Sequence, residues 1–463
     1  MRYNLCMAIW NHELAAFILS GGTRYTEAEL LTHYGADSLH DVRKAQEEAF
    51  AEVPEMNMLY KAVDLPVSSI VERMRFHGIC IDHDRLRTIR EDLVGKREVL
   101  MKRITDRLGA VNTNSPKQLG DALVEKLKVK LPKTKTGQYS TNVSDLTMLA
   151  PSYPVVQDIL DFRAVDKTIT TYIDAVLTKV DQEGRIHPSY DLMSAATGRL
   201  ASHDPNIQST PIGPPYGDMI RSTFIAPPKA VLLAFDYSQQ ELRILAHLSK
   251  DPKLKEAFEN GHDVHEITAS RIFDIPEGKV PKELRNIGKT VNFGIIYGQT
   301  PYGLSAQLGK SVEECSHILK VYFETYPGVK KYFDNLLIFA KLHGYAETML
   351  GRRRGIPGLP YGKPTKFINQ AQERVLKNFP IQGSAADMTK KAMVAVADHV
   401  LPAYPDAELV MQIHDELVFE YQSEDKKKID AFAKEVEKCM VEALPLDVPV
   451  VVDWKVGENW GEI

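Results

Sequence analysis

The chain has 463 residues, 44% hydrophobic and 26% charged, a globular composition with room for roughly three domains. Its net charge of −5 does not predict nucleic-acid binding, so any basic binding surface has to be local. The sequence contains no apolar run of about 18 residues that would predict a membrane span. Without a CxxC pair, the four cysteines indicate a reducing, intracellular compartment and no structural zinc: Cys6, Cys80, Cys315 and Cys439.

The first half of the chain reads as mostly helical. Residues 1 to about 53 are too few for a domain with its own core and active site. Apolar residues at helical spacing predict a helix over 59–77, followed by a turn, and a long charged helix over 84–108 that pairs with 145–180. Between those helices lies a run of lysines that either contacts nucleic-acid phosphates or is an ordinary solvated loop: Lys126, Lys128, Lys130, Lys133 and Lys135.

The second half alternates strands and helices. Strands are predicted over 185–192 and 231–236, with helices filling 259–373. A helix from Arg374, a helix over 423–444 and a final strand over 448–456 complete the chain.

One carboxylate lies at the end of a predicted strand. The apolar run Val231–Phe235 is typical of a buried strand, Asp236 follows it, and helical spacing begins directly afterwards. A carboxylate held by a rigid element beside a cleft suits a hard metal ion. The alternative is that Asp236 caps the following helix.

A predicted hairpin supplies a second carboxylate. Apolar runs 409–411 and 417–419 flank a polar tip of His414, Asp415 and Glu416. If the two strand ends meet, Asp236 and Asp415 would share two Mg²⁺ ions about 4 Å apart, for which two aspartates are enough. The alternative is a charged turn that simply faces water.

A predicted helix over 281–298 carries cations and aromatic residues on one face. Four side chains recur at a spacing of four and therefore lie within about 120° of one another around the helix. Cations near one end can bind phosphates, and aromatic rings near the other can pack on a sugar and a base. An amphipathic surface helix is the alternative reading of these residues: Arg285, Lys289, Phe293 and Tyr297.

Five segments, in this order, resemble the motifs of family A DNA polymerases, the bacterial DNA polymerase I group. The resemblance extends from about Leu59 to the carboxyl end. It rests on TGRLASHDPNIQSTP (197–211), DYSQQELR (236–243), the helix 281–298, RVLKNFPIQGSAAD (374–387) and QIHDELVFE (412–420).

The resemblance implies the chemistry of a two-metal site. Asp236 and Asp415 would bind two Mg²⁺ ions, for which Mn²⁺ can substitute, with help from the Tyr237 carbonyl. Glu416 would have a lesser role. Arg285 and Lys289 would act in catalysis with the two aspartates by stabilising the leaving pyrophosphate.

The resemblance also implies contacts to nucleotide and DNA. Glu241 would exclude a ribose 2′-hydroxyl, Phe293 would pack on the sugar, and Tyr297 would stack at the templating position. The nucleotide-binding set would be Gln239, Glu241, His265, Arg285, Lys289, Phe293 and Tyr297. The residues that grip the primer–template would be Arg199, Asn206, Gln208, Arg374, Asn378, Gln382 and His414.

The implied fold is an α+β right hand with an antiparallel-sheet palm, helical fingers and a helical thumb. Its domains would be a remnant of a 3′–5′ exonuclease domain (1–55), thumb (56–180), palm (181–258), fingers (259–373) and palm again (374–463). The remnant is expected to be inactive, because Asn11 stands where the exonuclease motif has an aspartate. An unrelated helical extension is the alternative.

The expected function is a cytoplasmic, monomeric, template-directed DNA polymerase without proofreading or 5′-nuclease activity. Its partners would be a primer–template duplex and a dNTP, with no membrane. A single-subunit RNA polymerase and a non-catalytic primer–template binding protein are the alternatives. Two departures from the family pattern bear on the site: Gln240 replaces an apolar residue, and Gly213 replaces an arginine that would contact a phosphate.

Overall fold

A computed structural model describes residues 9–134 and 136–463, and the chain divides into two compact units. The larger unit contains the described residues up to His77 together with Ser189–His203 and Lys229–Val456. The smaller unit contains Gly78–Pro188, Asp204–Pro228 and Gly457–Ile463. These two units do not correspond one-to-one to the predicted palm, fingers and thumb, whose boundaries stay a prediction.

Helices dominate the described residues. They are α1 (His12–Leu19), α2 (Glu27–Tyr34), α3 (Leu39–Ala51), α4 (Pro54–Leu59), α5 (Leu65–His77), α6 (His83–Leu108), α7 (Pro116–Leu127), α8 (Val143–Leu149), α9 (Pro154–Lys167), α10 (Asp174–Leu177), α11 (Gly217–Arg221), α12 (Gln240–Ser249), α13 (Pro252–Glu259), α14 (Val264–Phe273), α15 (Lys282–Ile296), α16 (Pro301–Leu308), α17 (Val312–Thr325), α18 (Pro327–His343), α19 (Gln370–His399) and α20 (Lys426–Glu442). Turns of π-helix cover Tyr60–Asp64 and Thr168–Ile173, and a 3₁₀ turn covers Ile207–Ser209.

The strands form small sheets. They are β1 (Ile79–Cys80), β2 (Arg185–Ile186), β3 (Ser189–Asp191), β4 (Ala201–His203), β5 (Val231–Tyr237), β6 (Tyr345–Glu347), β7 (Arg353–Gly355), β8 (Ala407–Ile413), β9 (Glu416–Tyr421) and β10 (Val452–Gly457). The largest sheet has the order β10-β5-β9-β8, in which β5 and β8 both pair antiparallel with β9.

The four-stranded sheet lies in the larger unit and is covered by helices. Phe432 of α20 packs edge-on against Phe419 of β9, with ring centroids 5.5 Å apart, and Phe419 in turn contacts Phe235 of β5. These aromatic residues are fully buried. The packing therefore fixes the two strands whose ends carry Asp236 and Asp415.

Most predicted elements are present, with four corrections. The region 259–373, expected to be helical throughout, also contains strands β6 and β7, which pair with each other. The strand expected over 185–192 is two short strands, because Pro188 between them has no backbone N–H to pair. The final strand begins at Val452 rather than Val448, after Pro449. The turn expected after His77 contains β1, which pairs with β2.

Helices α14 and α15 pack closely where Gly288 faces the backbone of α14. A Cβ at Gly288 would lie 2.2 Å from the carbonyl oxygen of His265, so only glycine fits without displacing a helix. This approach places the cation-bearing face of α15 next to the first turn of α14.

The smaller unit is built on the pairing of α6 with α9. Arg97 of α6 forms an ion pair with Asp166 of α9 at 3.1 Å, and Arg90 pairs with Asp174 at 2.6 Å. The lysines of the predicted basic run are exposed from Lys126 to Lys133, while Lys135 lies outside the described residues. In the part of the chain that is described, no helix has the length and apolar character needed to cross a membrane.

Four charged residues are buried together in the larger unit. Asp64 accepts from Arg352 at 2.7 Å and from Lys390 at 2.6 Å, and Arg352 also pairs with Asp387 at 2.7 Å. Burial alone would raise the pKa of Asp64, but Arg352 and Lys390 lower that pKa overall. The four charges balance, so this group is stable only when complete.

Replacing one member of this buried group is expected to destabilise the protein strongly. Asp64→Asn keeps the shape but leaves two buried cations with one carboxylate, which should lower the free energy of unfolding by about 3–5 kcal/mol. Chemical denaturation followed by circular dichroism measures it. Glu47→Gln is the control, because it breaks an exposed ion pair with Arg43 and should change stability by less than about 0.5 kcal/mol. Equal losses in both variants would contradict the argument.

Candidate active site

Asp236 and Asp415 meet at one end of the four-stranded sheet. Asp236 lies near the end of β5, directly opposite Glu416 on β9, and Asp415 is in the two-residue turn between β8 and β9. The Tyr237 N–H donates to the Asp415 carbonyl at 3.4 Å. His414, the other turn residue, has a left-handed backbone with φ of 56°, which is uncommon for a residue other than glycine and allows the tight turn.

The carboxylates are crowded enough to disfavour ionisation. Burial, followed by repulsion from Asp415 and Glu416, raises the pKa of Asp236 to about 7. Burial is also the main cause of the raised pKa of Asp415. Two carboxylates that are held close together despite their repulsion suit the binding of a divalent cation, whose positive charge would remove that repulsion.

The structure excludes the helix-cap reading of Asp236. Helix α12 begins at Gln240, and its N-cap residue is Gln239, three positions after Asp236. Gln239 has a left-handed backbone, and its buried Oε1 has no hydrogen-bond partner within the described chain. An orphaned acceptor at this position is consistent with a ligand contact.

Asp453 also acts on Asp236, and sequence reasoning missed it. It lies on β10, the strand on the other side of β5, and its charge contributes to the raised pKa of Asp236. Among the described residues, no group of three or more His, Cys, Asp or Glu side chains is arranged to hold a metal ion. A metal at the two aspartates would therefore complete its shell with other oxygen ligands.

Glu241 is buried behind the aspartates. Its Oε1 accepts a 2.5 Å hydrogen bond from Arg199, and burial raises the pKa of the Glu241 carboxyl despite that cation. The Tyr297 hydroxyl lies beside both Glu241 and Gln382. The second oxygen of Glu241, Oε2, is buried and has no hydrogen-bond partner in the described structure. Arg199, predicted to grip DNA, is thus also the ion-pair partner of Glu241.

Gln240 faces away from Glu241, against α19. Its side chain is buried, and Nε2 donates to the Ala385 carbonyl at 3.3 Å and to the Thr389 hydroxyl at 3.2 Å. The departure from the family pattern therefore ties α12 to α19 through hydrogen bonds.

Helix α15 carries Arg285, Lys289 and Phe293, whereas Tyr297, expected on the same helix, is its C-cap residue. Arg285 forms a 2.5 Å ion pair with Asp263, the N-cap residue of α14, while Lys289 is exposed. The ring of Phe293 lies 5.7 Å from that of His265, centroid to centroid. Asp263 was missed by sequence reasoning, although an Asp before the helical run 264–273 is a typical N-cap signal.

The remaining predicted DNA contacts lie in both units. Arg374, Asn378 and Gln382 recur every four residues on one face of α19, where Asn378 donates to the carbonyl of Ile296 at the end of α15. His414 is exposed at the turn tip. In the smaller unit, Gln208 lies in the 3₁₀ turn and Asn206 is the N-cap residue of that turn. Their roles stay predictions.

Comparison with known proteins places these features in a family. The model for DNA polymerase family A matches residues 83–462. The chain belongs to DNA polymerase family A. DNA polymerase I of Deinococcus radiodurans is 39% identical over 406 residues, which cover 87% of this chain and 42% of that protein. DNA polymerase I of Lactococcus lactis is 37% identical over 96% of this chain and 51% of its own length.

A solved family A structure supports the same placement. The POL domain of Pol1 from M. smegmatis, solved in complex with DNA primer-template and dNTP, matches with a TM-score of 0.90 and 34% identity, over 98% of this chain and 82% of that one. The predicted α+β right-hand fold is thereby confirmed. The chain spans about half the length of the curated family members that it matches.

Asp236→Asn is expected to stabilise the metal-free protein, increasingly with pH. Because the pKa of Asp236 is raised from about 3.8 to about 7, the folded state holds a proton that the unfolded state releases. The ionised carboxylate thus costs stability progressively from about pH 4 to about pH 7 and uniformly above. Melting temperatures in EDTA from about pH 4 to 8 measure the gain. Asp84→Asn, at a fully exposed side chain, is the control. An increase in melting temperature that does not change with pH would contradict the raised pKa of Asp236.

Proposed function

We propose that this protein is a template-directed DNA polymerase that adds deoxynucleotides to a primer 3′-hydroxyl. The observation that carries the proposal is the meeting of Asp236 and Asp415, in the same unit as the cationic and aromatic face of α15. Membership of DNA polymerase family A and the likeness to a polymerase solved with primer-template and dNTP support it.

The aspartates fit two Mg²⁺ ions, with Mn²⁺ as a substitute. Asp236 and Asp415, with the Tyr237 carbonyl, would hold them, since their mutual repulsion calls for positive charge. The ions would supply activation of the primer hydroxyl and neutralisation of the leaving oxygen. Every other contribution comes from side chains of the protein, which position the reactants and neutralise charge.

Arg285 and Lys289 bind the triphosphate and neutralise charge on the departing pyrophosphate. Arg285 is paired with Asp263, so binding of a triphosphate would exchange one carboxylate for phosphate oxygens. Phe293 packs on the sugar and Tyr297 lies at the templating position. Arg374, Asn378, Gln382, His414 and Arg199, with Asn206 and Gln208, hold the primer–template.

Glu241 selects deoxyribose. Its buried carboxylate, which accepts from Arg199 and lies beside the Tyr297 hydroxyl, occupies the place of a ribose 2′-hydroxyl. This discrimination separates the proposal from a single-subunit RNA polymerase. We also propose that the protein acts as a monomer. We further propose that the first 55 residues do not proofread, because Asn11 serves as the N-cap of α1, where its side chain accepts a hydrogen bond from the Leu14 N–H at 2.9 Å.

Asp415→Asn is expected to abolish chain extension. Loss of one anionic ligand should lower the rate of extension of a labelled primer, with Mg²⁺ and all four dNTPs, by at least about a thousandfold. Asp425→Asn is the matched control, because asparagine caps α20 as well as aspartate does. Unchanged extension by Asp415→Asn would refute the metal assignment. No extension by the unmodified protein, with tight primer–template binding, would favour the non-catalytic alternative.

Glu241→Ala is expected to admit ribonucleotides. Removing the side chain opens space for the 2′-hydroxyl, so the ratio of kcat/KM for dNTP to kcat/KM for rNTP should fall at least about tenfold. Arg199→Ala is the control: it breaks the same ion pair but keeps the carboxylate, and it should leave that ratio nearly unchanged even if overall activity falls. Equal discrimination in the unmodified protein and Glu241→Ala would contradict the role of Glu241.

A further inference from the structure

Asn292 is a fully buried polar residue on the side of α15 that faces α14. It directly precedes Phe293, and it lies 0% exposed between the two helices. Its Nδ2 is 3.0 Å from Nδ1 of His265 and 3.4 Å from the carbonyl oxygen of Val264. Its Oδ1 lies 3.0 Å from the hydroxyl oxygen of Thr268. Neither the predicted site nor the proposed function uses this residue.

The neighbours of the Asn292 amide determine its orientation. The deciding neighbour is the Val264 carbonyl, which can only accept and therefore requires Nδ2 on its side, while the Thr268 hydroxyl beside Oδ1 can either donate or accept. The reverse orientation would set two acceptor oxygens against each other. The Thr268 hydroxyl has a single proton, which goes either to Asn292 Oδ1 or to the Val264 carbonyl at 2.8 Å, and the Tyr326 hydroxyl lies 3.2 Å from the Thr268 hydroxyl. The Asn292 amide is therefore part of a buried hydrogen-bond network.

This orientation has a consequence for the His265 ring. Nδ1 receives the Asn292 N–H, so Nδ1 carries a lone pair and the proton of the neutral ring lies on Nε2. Burial, with Arg285 and Lys289 acting in the same direction and Asp263 opposing them, lowers the pKa of His265 to about 4. The ring is therefore neutral near pH 7, and only one of its two nitrogens can donate.

We propose that Asn292 is a positioning residue that holds His265 in the Nε2-protonated tautomer, so that the ring donates a hydrogen bond to the triphosphate of the incoming nucleotide. The proposal rests on the proposed polymerase function for its ligand. The opposite tautomer would present a lone pair to an anionic oxygen, which would repel it. A neutral ring that donates adds a directed hydrogen bond to the triphosphate beside Arg285 and Lys289. Because the ring carries no charge, nucleotide binding does not require a third cation to lose its water.

The packing makes the arrangement rigid. The ring of His265 contacts that of Phe293, and Gly288 allows α15 to approach the His265 backbone closely. Asn292 reaches the ring across this same helix pair. Phosphate binding and sugar packing would thus be set by one interface between α14 and α15.

The tautomer can be measured directly in the unmodified protein without nucleotide. After ¹⁵N labelling of histidine, long-range ¹H–¹⁵N correlations distinguish the two neutral tautomers, and His265→Gln identifies the signal. We expect Nε2 to be protonated and Nδ1 not, from about pH 6 to 8. A signal from the Nδ1-protonated form, from an exchanging mixture or from a charged ring would overturn the proposal.

Asn292→Asp tests the consequence for nucleotide binding. The carboxylate replaces the donor by an acceptor, so Nδ1 must carry a proton. At low pH both ring nitrogens are then protonated and KM for dNTP should stay near that of the unmodified protein. At high pH the ring loses its Nε2 donor, and KM should rise about ten- to a hundredfold with a smaller change in kcat. A KM increase that is independent of pH would indicate packing alone and would overturn the proposal.

The same substitution in a His265→Gln background is the matched control. The glutamine amide donates a hydrogen bond regardless of which residue stands at position 292, so the pH-dependent rise in KM should disappear. If Asn292→Asp fails to fold, the tautomer measurement on the unmodified protein still decides the proposal. Primer extension by the unmodified protein together with the wrong tautomer would refute this inference alone. The expected tautomer without any primer extension would refute the proposed function and, with it, the role of the ring toward a nucleotide.

Discussion

The antiparallel pairing of β5 with β9 is the constraint on which the site depends. Both faces of β5 and β9 are buried, and a change of register would separate the rings of Phe235 and Phe419, which pack edge-on in the core. With this register, Asp236 has to stand opposite Glu416 and next to the turn that carries Asp415. The fold thereby holds together carboxylates that repel one another, and the repulsion is the property that a cation would relieve.

Four other buried charged residues are paired with residues of opposite charge. Asp64, Arg352, Asp387 and Lys390 balance one another completely, and nothing in that group calls for a ligand. Glu241 is intermediate, since Arg199 pairs with one oxygen while the other has no hydrogen-bond partner in the described structure. The contrast separates a structural charge network from Asp236, Asp415 and Glu241, whose electrostatic or hydrogen-bonding demand is unmet and which lie at the proposed active site.

The interface between α14 and α15 organises the nucleotide side of the site. Gly288 brings the helices close, Asp263 holds Arg285, and Asn292 contacts His265. Each of these three residues acts on a predicted phosphate-binding residue or on its surroundings, and none belongs to the predicted set itself. The orientation of the predicted phosphate-binding residues therefore depends on these three further residues.

The sequence by itself determined the elements that carry the site and the family. Strand β5, helix α15 and the β8–β9 hairpin follow from local apolar patterning, and five ordered motifs are enough to identify the family, because motif order and helical spacing are properties of the chain. Only the tertiary structure decided which groups meet. The contacts that join different elements are the Asp263–Arg285 pair, the approach of Asp453 on β10 to Asp236 on β5, the contact of Asn292 with His265 and the hydrogen bonds of Gln240 to α19. Which of those elements pack together is set by the whole core, so no local pattern in the sequence determines them.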